Sequence, residues 1–117
     1  MNFDDAITAH VHWKLALASY LAKHDGSLKA RDLEPDDKCP LGLWIHGEGR
    51  RHAAFPEFKT LEAEHARFHK AAAHVVIVAD SGASVREETA LGGNSPFSTA
   101  SLNLMGALMA MKRKTGR

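Results

Sequence analysis

His65 and His69 stand four residues apart in the segment HARFH. In a helix that spacing puts two side chains on one face about one turn apart, so both imidazoles can reach a single metal ion. The pair also falls on an apolar stripe with Leu61 and Phe68. Unsatisfied imidazole nitrogens are costly there, and a metal would satisfy them. Taken alone, such a pair more commonly marks solvated or hydrogen-bonded histidines than a metal site.

His10 is a third candidate, in register with Ile7, Trp13 and Leu17. His12 points ~200° away, toward Asp5, Ala9 and Ala16. By itself His10 also fits a core histidine bonded to a backbone carbonyl, and a rotation of the first helix would put His12 in its place.

Cys39 is the sole cysteine, in KCPLGLWIHGEG. A thiolate and three imidazoles make four nitrogen and sulfur donors, a closed tetrahedral set suited to Zn²⁺, with Zn–S near ~2.3 Å and Zn–N near ~2.0–2.1 Å. Mg²⁺ and Ca²⁺ prefer oxygen and find poor partners in such a set. A place at a helix N-terminus would favour the thiolate that metal binding requires. The plain alternative is that Cys39 is a small buried hydrophobe, which leaves the company of three histidines unexplained.

The elements that must position these residues follow from periodicity. Phe3, Ile7, His10, Trp13, Leu17, Tyr20 and Leu21 form one stripe, predicting an amphipathic helix from about Asn2 to His24, capped by Asn2 and stopped by Gly26. Residues 27–38 are polar with Pro35 inside and are expected to be a loop. Cys39 is then a candidate N-cap, with Pro40 at the first position of a short helix over Leu41 to Ile45 that Gly47 and Gly49 end. Pro56 opens a long helix whose stripe is Phe58, Leu61, His65, Phe68, His69, Ala72, Val75, Val76 and Ala79, closing at Ser81-Gly82. Ser84 to Glu87 has the capping-box pattern of another short helix. Ser95-Pro96 starts the last helix, with Phe97, Leu104, Leu108 and Met111 inward and Leu102, Met105 and Met109 on a second side that suits self-association.

The reading is an all-α protein: one domain over residues 1–117, a four-helix bundle with short extra helical segments and a basic tail over 112–117. A formal charge of +1 on 117 residues gives no reason to expect nucleic acid, and the tail complements a helix C-terminus. No apolar run is long enough for a membrane span, and the acidic start lacks a secretory n-region. A cytoplasmic address and no membrane partner are expected. His24, His46, His52 and His74 read as surface or loop histidines, and Glu62, Glu64 and Arg67 as a solvated face.

With these residues assembled, the chain resembles the chemoreceptor zinc-binding (CZB) domain family. The resemblance is carried by His10-Val-His-Trp13-Lys14, Cys39-Pro-Leu-Gly42-Leu-Trp44 with Gly47 and Gly49, Phe55-Pro-Glu-Phe58, the His65 and His69 pair, and Ser95-Pro-Phe-Ser98. It implies a helical bundle, dimeric as a rule, in which His10, Cys39, His65 and His69 bind zinc. It also implies a regulatory role in bacterial signalling, in chemotaxis or beside enzymes that make cyclic di-GMP. No coiled-coil signalling segment or catalytic domain accompanies these motifs, so a homodimer is expected that either acts on a signalling partner in trans or is a stand-alone relative with an output of its own.

No catalysis is expected, since four protein ligands leave no open position for substrate or water. The cue is zinc, or oxidation of Cys39 to sulfenic acid, which removes a ligand; the resemblance suggests hypochlorous acid as such an oxidant. Two other classes remain. A di-iron bundle of the hemerythrin sort needs carboxylates beside its histidines, and the inward stripes have none. A structural-zinc adaptor would use the same four ligands and unfold on chelation, whereas a sensor would stay folded and change shape.

Overall fold

A computed structural model describes residues 1–23, 26–81 and 90–116. Among these the chain is helical with no strand. Helix α1 spans Phe3–Lys23, α2 Ala30–Leu33, α3 Pro40–His46, α4 Pro56–Asp80 and α5 Pro96–Thr115, with a 3-10 helix at Glu48–His52 between α3 and α4. The long helices α1, α4 and α5 and the shorter α3 make the bundle. Helix α4 is its centre: it packs most extensively on α5 and also touches α1 and α2.

The apolar stripes account for this arrangement. Phe3, Leu17 and Tyr20 of α1, Phe58, Leu61, Phe68, Ala72 and Val76 of α4, and Phe97, Leu104, Leu108 and Met111 of α5 are all buried in one core. The expected inward residues of α4 and α5 are therefore those that pack. At the far end of the bundle the Tyr20 hydroxyl donates to Asp80 Oδ1 at 2.6 Å, joining the last turns of α1 and α4. At the near end Lys112 donates to both oxygens of Asp4 at 2.9 Å.

Helix starts are set by local chemistry. Cys39 caps α3, its sulfur accepting from the Gly42 amide at 3.4 Å, with Pro40 in the first turn. Ser95 caps α5, its Oγ accepting from the Ser98 amide at 3.0 Å. The basic tail is largely helical: Lys112, Arg113 and Lys114 form the last turn of α5, and Gly116 ends it in the left-handed region at φ 74°.

Two expectations need correction. Residues 27–38 are not all loop, because Ala30–Leu33 form α2 with Leu33 buried. Gly47 caps the end of α3 as expected, but Gly49 does not end helical structure, because it lies inside the 3-10 helix that follows. Gly49 is there for space: a Cβ on it would lie 2.9 Å from Trp44 Cε3. Gly42 is tighter still, since a Cβ would meet the Asp36 carbonyl oxygen at 1.8 Å. The strand of loop before Cys39 thus crosses directly over the first turn of α3. His24 and the expected helix at Ser84 to Glu87 lie outside the described residues.

Candidate metal centre

Three elements bring the four candidates together. Helix α1 carries His10, the turn into α3 carries Cys39, and α4 carries His65 and His69. His10, His65 and His69 are buried, at 3%, 0% and 4% exposure, and Cys39 is half-buried. Each offers one donor atom, and the four donors lie within 4.8 Å of one another. No carboxylate joins this group among the described residues, which removes the bridging ligands a di-iron centre needs.

The hydrogen bonds around the group decide which nitrogens face inward. His10 Nδ1 lies 2.7 Å from the Ala6 carbonyl oxygen, and His69 Nδ1 lies 2.7 Å from the Leu33 carbonyl oxygen. A carbonyl only accepts, so both Nδ1 atoms donate, and in both residues Nε2 is the nitrogen turned toward the cluster. His69 Nε2 then meets His65 Nε2 at 3.0 Å, and Cys39 Sγ sits 3.2 Å from His65 Nε2 and 3.6 Å from His69 Nε2. His10 Nε2 is buried with no hydrogen-bond partner among the described residues.

This arrangement passes a test of fit for zinc. A tetrahedron with metal–nitrogen bonds of ~2.0–2.1 Å has edges of about 3.3 Å, slightly longer where sulfur is one corner. The contacts among Cys39, His65 and His69 are of that size. Lone pairs that converge in a buried place repel one another, and a shared cation is the partner that satisfies them together. The carbonyls of Ala6 and Leu33 supply the outer support that holds ligating imidazoles in one tautomer and orientation.

Protonation points the same way. Burial lowers the pKa of His10, and burial with the neighbouring His69, His10 and His46 lowers that of His65 to about 3. Both imidazoles are neutral near pH 7 and ready to donate. Burial pushes the Cys39 thiol up, against the opposing Gly42 amide, so without a cation it keeps its proton.

Among the described residues no other histidine joins the four donors. His12 is exposed, so the register that selected His10 holds, and His74 is exposed as well. His46 pairs loosely with Asp36 at 3.6 Å, and His52 stacks on Phe55. Arg67 donates to Glu64 and Arg50 donates to Glu62 at 2.8 Å, but Glu64 is only 12% exposed, so the face expected to be solvated is partly covered there. Sequence reasoning allowed for a backbone carbonyl on His10 but missed the one on His69. Backbone carbonyls have no residue signature, and the one from Leu33 belongs to the helix read as loop. It also missed an apolar cleft of about 520 Å³ that brings solvent to His10 and Cys39 between Ala9, Trp13 and Leu41.

Fold and site together define a helical bundle with a buried group of three histidines and one cysteine suited to zinc. Residues 10–76 match the model of the chemoreceptor zinc-binding domain, more than half of the 117-residue chain and a span that contains all four candidates. The chain belongs to the chemoreceptor zinc-binding domain family. Members are sensory zinc-binding modules and not catalysts. No curated protein and no solved structure gives a significant match. Among the described residues no helix is long and apolar enough to cross a membrane.

Proposed function

We propose that this chain is a zinc-dependent regulatory module of bacterial signalling, in which His10, Cys39, His65 and His69 hold one Zn²⁺. The observation that carries the reading is the convergence of three buried imidazoles and one thiol from three separate elements within 4.8 Å. When bound, zinc supplies a charge that ties α1, the turn before α3, and α4 into one unit. The protein's own part is to present neutral imidazoles, to hold two of them through Ala6 and Leu33, and to give up the Cys39 proton.

Loading and loss of metal then change how α1 and α3 sit on α4, and that change is the output. Oxidation of Cys39 is a second cue. The half-buried sulfur is reached through the apolar cleft, and a sulfenic acid is a poorer ligand than a thiolate. A reducing, cytoplasmic setting suits a lone thiol that must stay free. The output passes to a signalling protein in trans through a homodimer of this chain. Support for the dimer comes from the outer face of α5, where Leu102 is 68% and Met109 50% exposed on either side of Gly106.

Elemental analysis of the untagged protein beside Cys39→Ala and His69→Ala, with circular dichroism on all three, tests the reading. About one zinc per chain, lost in both variants while helicity persists, is the expected result. Absence of metal in the parent protein after growth with zinc, or iron in its place, would overturn it.

A further inference from the structure

At the end of the bundle near the chain termini, a cavity of about 220 Å³ is lined by Phe3, Trp44, Arg51, His52, Phe55 and Lys114, with no acidic residue among the lining side chains. Its wall is a continuous run of rings. Phe3 meets Trp44 edge-on at 5.4 Å, Trp44 and His52 are tilted by 35° at 5.9 Å, and His52 stacks on Phe55 at 24° and 5.6 Å. The Lys114 ammonium lies over the Phe55 ring, 4.9 Å from its centroid. Arg51 and Lys114 are exposed, and neither has a carboxylate partner among the described residues, although Arg50 and Lys112 nearby do.

We propose that this cleft is a binding site, distinct from the metal centre, for a small planar aromatic carboxylate. Size, surface and charge each constrain the ligand. An apolar cavity of ~150 Å³ accepts benzene, so this one accommodates a ring with a carboxylate attached. The rings offer π-faces and edges to a flat body, favouring offset or edge-on contact over aliphatic packing. Two cations with no acid opposite leave a positive field at the mouth, which orients an anion with its carboxylate outward toward Arg51 and Lys114 and its ring inward on Trp44 and His52. A neutral aromatic of the same shape keeps the ring contacts and loses the charge. A cation is repelled.

The cleft does not depend on the four metal ligands, so its test stands apart from the zinc reading. The probe is 2-naphthoate, titrated into the full-length Trp13→Phe protein with zinc present, following the indole N–H signal of Trp44 by NMR and its fluorescence. The expected result is saturable binding at sub-millimolar concentration, weakened about tenfold or more in Arg51→Glu/Lys114→Glu and by the same order when neutral 2-naphthamide replaces the acid. Because Arg51 and Lys114 are exposed and the core does not use them, the double variant keeps the parent's circular dichroism. No saturation below about 5 mM would overturn the proposal. So would equal binding of the acid and the amide, or binding unchanged in the double variant.

Discussion

His65 shows how burial prepares a ligand. Its pKa falls to about 3 from an ordinary 6.5, chiefly by desolvation. The unfolded chain therefore takes up a proton on this group first as pH drops, and the folded state resists it. Stability of the metal-free protein is unaffected by this group above pH 6.5 and is lost progressively from there toward pH 3, by an amount on the order of 5 kcal/mol. His10, shifted the same way, adds to the effect. Urea denaturation of chelated protein at pH 7.5, 6 and 5 is expected to give falling midpoints, and in His65→Phe a shallower fall; a flat profile would contradict the assignment. The thiol behaves oppositely. Because burial raises Cys39, the metal-free cluster holds its proton at neutral pH, and zinc binding releases it. Calorimetric titration at pH 7 in buffers of different ionisation enthalpy should return about one proton released per zinc in the parent chain. Release near zero would mean that the sulfur is not a ligand.

At the scale of elements, the turn from α2 into α3 sets the position of Cys39. The close crossing of Asp36 over Gly42 leaves no room for a side chain, so Gly42→Ala must push α3 and the loop apart. The expected cost is about 2–4 kcal/mol, read as a lowered denaturation midpoint together with weakened zinc binding. Gly93→Ala, where the added Cβ meets nothing within 4 Å, serves as the control and is expected to change neither. Equal behaviour of the two variants would contradict the role given to the turn. The strong stripes of α1, α4 and α5 were legible in the sequence because each repeats apolar residues over about four turns or more. The inward His10 and outward His12 followed from the same register. Helix α2 was not legible, since four residues beside a proline carry no period, and its Leu33 carbonyl became a support for His69 that no side-chain pattern announces. Gly47 signals the end of α3 correctly while Gly49 lies inside the 3-10 helix, because glycine marks either a stop or a close approach. Only the packing of Trp44 on Gly49 distinguishes them.

For the whole molecule, the metal cluster and the apolar core are two supports of different kinds. The core joins α1, α4 and α5 through Leu17, Phe68, Leu104 and Met111 without help from the four donors. Chelation should therefore lower the thermal midpoint yet leave most of the helicity at 25 °C, as expected of a sensor; collapse to a random coil would assign the metal a purely structural part. Self-association belongs to this scale as well. Under the proposed self-association the parent chain is expected to sediment as a dimer and Leu102→Lys with Met109→Lys, on the outer face of α5, as a monomer; dimerisation unaffected by both changes would move the interface elsewhere. The zinc-dependent consequences all presuppose that one sulfur and three imidazoles share a single ion. The most direct measurement is X-ray absorption at the zinc edge on the metal-loaded protein. The account predicts one sulfur at ~2.3 Å and three nitrogens at ~2.0–2.1 Å per zinc, and the loss of the sulfur shell in Cys39→Ala. A shell of nitrogen and oxygen alone in the parent protein would contradict it.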